Sequence, residues 1–270
     1  MKIDATYNSV LTIAGSDSGG CAGIQADIKS ISACGAYAAS VITATTAQNT
    51  VGVFDINPIP IAHIEKQLDA VLSDIKFKAI KIGMLHSCEI IDLVKSKLEN
   101  YNLGNIVIDP VMVATSGDKL IDETAIDCLK RLLPLAKIIT PNIPEAEILL
   151  GYKINENNLN ESAKKIGDTF ETSVLLKGGH IKSQSDEVFD ILYKIKSNKV
   201  VTIKNPRIDS NHTHGTGCSL SSSIAAFLAK GKDIEISSVS ACRFVNNAIL
   251  NGSKITLGKG KGPINHFNLI

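Results

Sequence analysis

The sequence predicts a three-layer α/β/α fold around a mostly parallel sheet, with an antiparallel hairpin at one edge. Three observations predict it. Short β-branched runs alternate with stretches whose apolar residues recur at helical spacing. The connections are long enough for right-handed helical crossovers, which parallel strands need. Glycine or polar residues follow nearly every apolar run, as they do where strands of an open sheet face a ligand.

Residues 10–14 (VLTIA) stop at Gly15 and read as a buried strand. Residues 22–33 place Ile24, Ile28 and Ile31 on one helical stripe, and 39–47 (ASVITATTA) read as a second strand. The next helix covers 63–75, with Ile64, Leu68, Val71, Leu72 and Ile75 at helical spacing. Further strands fall at 79–82, 105–108, 137–139 and 174–176, separated by helices at 89–98, 123–133 and 159–170. Residues 187–194 and 199–203 alternate around Ser197-Asn198, which predicts the edge hairpin. Helices at 217–229 and 236–251 close the chain.

The 270 residues show no linker or compositional break, so one domain is expected over 1–270. An apolar content of 44% is ample for a continuous core. Net charge is +1 with both signs mixed, which offers no electrostatic footprint for nucleic acid or an anionic membrane. No apolar stretch is long enough for a membrane span. The six cysteines form no Cys-x-x-Cys pair, and most sit among Ala, Ile and Leu. They read as small buried hydrophobes of a reducing, cytoplasmic compartment.

The segment richest in chemistry is His214-Gly-Thr-Gly-Cys-Ser-Leu220. Gly215-Thr216-Gly217 lets backbone N–H groups converge at the positive end of a helix, which makes an anion site. Such a nest suits the charge on a phosphoryl group in transfer. Cys218 falls in the first turn, where the helix field is expected to lower its pKa and make it a base for a substrate hydroxyl. The same segment also reads as a helix cap with a buried cysteine.

Asn142-Ile-Pro-Glu145 can order Mg²⁺ and its waters near a nucleotide phosphate, or simply cap a helix. Asp109 ends a buried strand with a carboxylate, which could join Glu145 in holding the metal or cap the following turn. Lys177 ends another strand with a cation suited to a polyphosphate. The Gly15–Asp27 loop lacks both the dinucleotide and the P-loop spacing, and fits a lining for a small planar ligand. Asp27 falls a turn into the following helix and is read as a pocket residue. Gln48 offers an amide that matches the edge of an aminopyrimidine, although spacing alone favours a turn residue. His63, His86, His212 and His266 have no partner pattern and read as structural.

Taken together these motifs resemble hydroxymethylpyrimidine/phosphomethylpyrimidine kinases of thiamine biosynthesis, in the ribokinase-like superfamily. The Gly15–Asp27 loop, the segments at 41–50, 81–85, 140–145 and 177–180, and His214–Cys218 occur in that family's order. The resemblance implies a pyrimidine pocket of Gly15, Asp27, Gln48, Met84 and Val111. It implies nucleotide contacts at Asn142, Glu145, Lys177 and Thr216, metal at Asp109 and Glu145, and catalysis by Cys218 with Gly215 and Gly217. The implied activity is successive ATP- and Mg²⁺-dependent phosphorylation of 4-amino-5-hydroxymethyl-2-methylpyrimidine to its mono- and diphosphate, in a cytoplasmic homodimer. Pyridoxal kinase is the neighbouring alternative, and a non-catalytic pyrimidine-binding protein a more distant one. Three residues depart from the family pattern. Cys21 replaces a frequent Gly, Thr115 a frequent Lys, and Cys242 a Lys, with Arg243 turned about 100° away around the helix.

Overall fold

The computed structural model describes residues 6–112, 123–179 and 186–267. Strand β1 (Ser9–Asp17) pairs in parallel on both sides, with β2 (Tyr37–Gln48) and β4 (Ala79–Ile82). Beyond β4 the parallel sheet runs on through β5 (Ile106–Ile108), β6 (Ile138–Ile139) and β7 (Ser173–Leu176). Antiparallel strands finish both edges: β3 (Val53–Pro58) beside β2, and the hairpin β8 (Glu187–Lys194)–β9 (Lys199–Pro206) beside β7. The order is β3-β2-β1-β4-β5-β6-β7-β8-β9. The chain reverses direction across the sheet between β1 and β4, so a crevice opens at the carboxyl ends of those two strands.

Helices α1 (Gly23–Ala33), α7 (Thr216–Ala229) and α8 (Ile234–Gly252) cover one face. Helices α2 (Ile61–Asp74), α3 (Cys88–Asn100), α4 (Glu123–Leu132), α5 (Ile143–Leu150) and α6 (Leu159–Phe170) cover the other. The central strands are buried on both sides, which is why they read as continuous apolar runs rather than alternating ones. Val107 packs towards α7 and α8, while its neighbours Ile106 and Ile108 pack towards the opposite helices. Three-layer packing and the β8–β9 hairpin agree with the sequence expectation.

One strand was not expected, and one helix was expected only from its capping residues. Strand β3 has a largely exposed sequence, VFDINP, in which Asp55, Asn57 and Pro58 hide the period-two signal. Helix α5 is only eight residues long and mostly apolar apart from Glu145 and Glu147, so no stripe marks it. Its ends are nevertheless strongly specified. Asn142 and Glu145 form a reciprocal capping box, and Gly151 ends the helix in the left-handed region at φ 76°.

The cysteine expectation needs correction at one pair. Cys88 at the start of α3 and Cys128 on α4 form a disulfide, with Cα atoms 5.4 Å apart. Forty residues separate them in sequence, so spacing gives no hint of the contact that packing of α3 on α4 creates. Cys21, Cys34, Cys218 and Cys242 are free, and all but Cys218 are buried.

The C-terminal segment returns over α7, where His266 hydrogen-bonds Ser219 Oγ at 2.8 Å. Burial holds the His266 imidazole down at about 4, with Lys29 adding to the effect. An unfolded histidine takes up its proton near pH 6.5, so the unfolded chain gains a proton that the native chain refuses. The stability this neutral histidine contributes is therefore present above pH 6.5 and is lost as pH falls towards about 4. The loss should approach about 2–3 kcal/mol at pH 4.5. Urea denaturation of the protein and of His266→Gln at pH 7 and 4.5 checks this: the variant should lose less stability on acidification. Identical losses in the two would contradict it.

Candidate active site

Beneath the crevice lies a buried polar hub. Asp27 of α1 accepts hydrogen bonds from Thr12 Oγ1 of β1 at 2.6 Å and Ser222 Oγ of α7 at 2.7 Å. Lys81 Nζ of β4 reaches both Asp27 oxygens, at 2.9 and 2.8 Å. All four residues have no exposed surface. Burial alone would drive the Lys81 ammonium to lose its proton, but Asp27, with Cys218 and Asp109 helping, holds its pKa above the usual value. Asp27 was expected in the pocket wall; with both oxygens occupied it lies behind that wall. Lys81 reaches the cavity instead. A charge inside the apolar strand AIKI was the signal that could have marked it.

Helix α7 starts above this hub. Gly215 takes φ 84°, and a Cβ there would stand 1.8 Å from the carbonyl oxygen of Cys21. Only glycine lets the two loops meet. A glycine cap has no side chain to satisfy the first N–H groups of α7, which leaves them for an anion. Small residues then let α7 sink into the molecule. Ser219, Ser221, Ser222 and Ser223 are all buried, the last bonding back to Ser219 O at 2.7 Å.

Cys218, in the first turn, faces the cavity and accepts a hydrogen bond from the Gly23 N–H. The expectation of a lowered pKa is overturned. Burial pushes the thiol up to about 11; Lys81 and the Gly23 N–H pull it down, while Asp27 and Asp109 push it further up. Loss of hydration outweighs the helix field there.

On one side of Cys218, Lys177 stands between two carboxylates. Its Nζ lies 2.9 Å from Asp109 Oδ1 and 3.8 Å from Glu145 Oε2. Asp109 also accepts from Thr140 Oγ1 at 3.1 Å. The Asn142 N–H donates to Glu145 Oε2 at 2.8 Å, and the Glu145 N–H to Asn142 Oδ1 at 2.9 Å. Burial raises Glu145 to about 7, with Lys177 opposing and Asp109 reinforcing. Burial works against the Lys177 charge, yet Asp109 and Glu145 together keep its pKa raised. Two buried carboxylates share one ammonium, so a further cation would relieve the excess negative charge. Hard oxygen donors of this kind fit Mg²⁺.

On the other side are Gly15, Gln48, Met84 and Val111. A Cβ on Gly15 would come 2.7 Å from the Met84 methyl, so glycine keeps that wall open. Gln48 Nε2 donates to His214 Nε2 at 3.0 Å, and its oxygen accepts from Thr46 Oγ1 at 3.1 Å. Asp17 ties down the β1–α1 loop, accepting from the N–H groups of Gly19, Cys21 and Ala22. Cys21 is buried inside that loop rather than in the cavity wall.

These walls enclose one cavity of about 780 Å³. Every site residue expected from the sequence lines it except Asp27. Asp17, one of the strand-end residues, also lines it, while Lys81, His214 and Asp190 were not foreseen in the wall. Cys242, the departure in α8, also faces it and hydrogen-bonds Asp190, whose Oδ1 accepts the Gly178 N–H at 2.9 Å. Thr115 lies outside the described residues.

A family model described as phosphomethylpyrimidine kinase matches residues 17–265. The chain belongs to that family. It is a kinase of the ribokinase-like fold. The hydroxymethylpyrimidine/phosphomethylpyrimidine kinase of Haemophilus influenzae is 44% identical, over 97% of this chain and 98% of that one. The bifunctional thiamine biosynthesis protein ThiED of Geobacter sulfurreducens is 48% identical over 96% of this chain, which spans about half (52%) of that longer protein. Among solved structures, phosphomethylpyrimidine kinase of Clostridium difficile is 42% identical with a TM-score of 0.78, covering 89% of this chain and 99% of its own. Staphylococcus aureus pyridoxal kinase, solved with AMP-PCP and pyridoxal, is 33% identical with a TM-score of 0.88, covering 98% and 96%.

For this family member, Lys81→Met leaves the Asp27 carboxylate buried without its counter-charge. It should cost about 3–5 kcal/mol of stability, whereas the double variant Asp27→Asn/Lys81→Met should cost clearly less than the sum of the single changes. Denaturant titrations of the three variants measure the coupling. Additive losses would mean that the two side chains do not depend on one another.

Proposed function

We propose that this cavity performs two successive phosphoryl transfers from ATP in thiamine biosynthesis. The first goes to the hydroxymethyl oxygen of 4-amino-5-hydroxymethyl-2-methylpyrimidine, the second to the resulting monophosphate. The observation that carries the reading is the joining of Gln48, Cys218 and the Asp109–Lys177–Glu145 cluster in one cavity. Gln48 would pair with the aminopyrimidine edge while Gly15, Met84 and Val111 hold the ring. The N–H groups of Thr216, Gly217 and Cys218 would receive the γ-phosphoryl oxygens, and Lys177 and Asn142 the polyphosphate. Asp109 and Glu145 would hold Mg²⁺, which when bound offsets charge on the β- and γ-oxygens.

In the first transfer the alcohol oxygen bonds to the γ-phosphorus as the bond to the β–γ bridging oxygen breaks. The alcohol proton passes to the Cys218 sulfur, and ADP leaves. The positive Lys81 behind the sulfur favours its thiolate form. The second acceptor is a phosphate that is already ionised near neutral pH, so it needs no base.

Two further parts of the reading rest on surface features. Phe54 and Val51 at the β3 edge are exposed apolar residues, which supports the homodimer. Among the described residues no helix is long and apolar enough to cross a membrane, in keeping with a cytoplasmic enzyme. Pyridoxal kinase is a second reading, favoured by the closer superposition on the S. aureus enzyme. Side-by-side kinetics on the two alcohols discriminate: kcat/KM should favour the aminopyrimidine, and a preference for pyridoxal would reverse the assignment.

The division of labour is separately testable. Cys218→Ala should lower the first transfer by at least about 100-fold and leave the second within a few-fold. A base whose pKa lies at about 11 is more often ionised at higher pH. The first transfer should therefore accelerate from pH 7 to 9 while the second stays nearly flat over the same interval. Equal losses in the variant, or matching pH profiles, would remove Cys218 from the role of base.

A further inference from the structure

The Cys88–Cys128 pair lies outside the kinase site, on the α3–α4 side of the sheet. A Cα separation of 5.4 Å is one that a disulfide spans without backbone movement. The surroundings suit the reduced form equally well. A Cys88 thiol has Asp92 Oδ2 as acceptor at 3.8 Å, and a Cys128 thiol has the Thr124 carbonyl at 3.4 Å. Each thiol of the reduced form thus has an acceptor close to its present position, and parting the two sulfurs to van der Waals contact asks for side-chain rotation rather than a change of backbone.

The two sulfurs are not equivalent. Cys88 is half-buried, whereas Cys128 is only 4% exposed. Cys88 also occupies the first turn of α3, just after the Ser87 cap, with Arg131 Nη2 3.6 Å from its sulfur. A helix start and a guanidinium favour negative charge on that sulfur, against the Asp92 carboxylate at 3.8 Å. Arg131 is held by Asp92 at 3.2 Å, and both side chains are more than half exposed. A small charged disulfide can therefore approach Cys88 from solvent, while Cys128 waits beneath it.

We propose that Cys88 and Cys128 are a reversible modification site that exchanges with low-molecular-weight disulfides of the glutathione type. The Cys88 thiolate attacks one sulfur of glutathione disulfide, forming a mixed disulfide and releasing one glutathione thiolate. Cys128, giving its proton to solvent, then attacks the Cys88 sulfur and expels the second glutathione. Two protein thiols are oxidised and one glutathione disulfide is reduced to two thiols. The closed bond ties α3 to α4 around the segment that carries β5, Asp109 and Val111, and so restrains one wall of the kinase cavity.

The experiment follows thiols on the full chain by intact mass after alkylation under denaturing conditions. Reduced protein should take six labels. After native incubation with glutathione disulfide it should take four, matching the four free cysteines, with two hydrogens lost and no glutathione attached. Dithiothreitol added to the folded protein should restore all six, and the oxidised form should melt about 5–10 °C higher. Cys128→Ser should trap one glutathione on Cys88, while Cys88→Ser should leave Cys128 unmodified. A bond that survives dithiothreitol in the native protein would overturn the proposal, because it would be a fixed staple. Adducts without an internal bond would overturn it equally.

Discussion

The buried pairing of Asp27 with Lys81 is the constraint on which the rest of the molecule depends. It joins the first strand, the first helix, the fourth strand and the penultimate helix at one point without water. Ions in such a place are tolerable only when every oxygen and every N–H finds a partner. Thr12 and Ser222 supply what Lys81 leaves over. The register of α7 against the sheet is thereby fixed: a rotation that moved Ser222 off Asp27 would also carry Cys218 away from the cavity. The hub thus links a stability requirement to the aim of a reactive group.

Two electrostatic regimes meet at the start of α7. Behind Cys218 a one-to-one ion pair is sealed from solvent; in front of it Asp109 and Glu145 outnumber Lys177. The front cluster is left short of positive charge, and Glu145 is raised to about 7, by burial first and by the neighbouring Asp109 in addition, against the pull of Lys177. Oxygen donors in such a cluster suit a hard cation. The thiol lies between the two regimes. Burial outweighs the pull of Lys81 and of the Gly23 N–H on that thiol, whose pKa is pushed up to about 11.

The architecture was largely legible in the sequence because β-branched strands and amphipathic helices carry their own periods. Strand β3 was not, being too exposed to show a period, and helix α5 was marked only by its capping pair. The site was legible in part. Gly215-Thr216-Gly217 could be read as a nest of N–H groups at a helix start, and Asn142 with Glu145 as a capping pair. Asp27 was misplaced by one layer, because spacing along a helix does not tell whether a carboxylate meets ligand or a lysine from another strand. The ionisation of Cys218 was misjudged for a related reason: a helix field is local and readable, whereas burial arises from elements distant in sequence. Likewise, only packing brings Cys88 to Cys128.

The central claim is that the hub holds the sulfur of Cys218 against the acceptor oxygen of the substrate. A crystal structure with the aminopyrimidine alcohol and a non-hydrolysable ATP analogue measures this directly. The account predicts an Sγ-to-hydroxyl distance of about 3.0–3.5 Å, with the Asp27–Lys81 contact unchanged beneath it. A hydroxyl group pointing away from that sulfur, at a distance beyond direct or single-water contact, would contradict it.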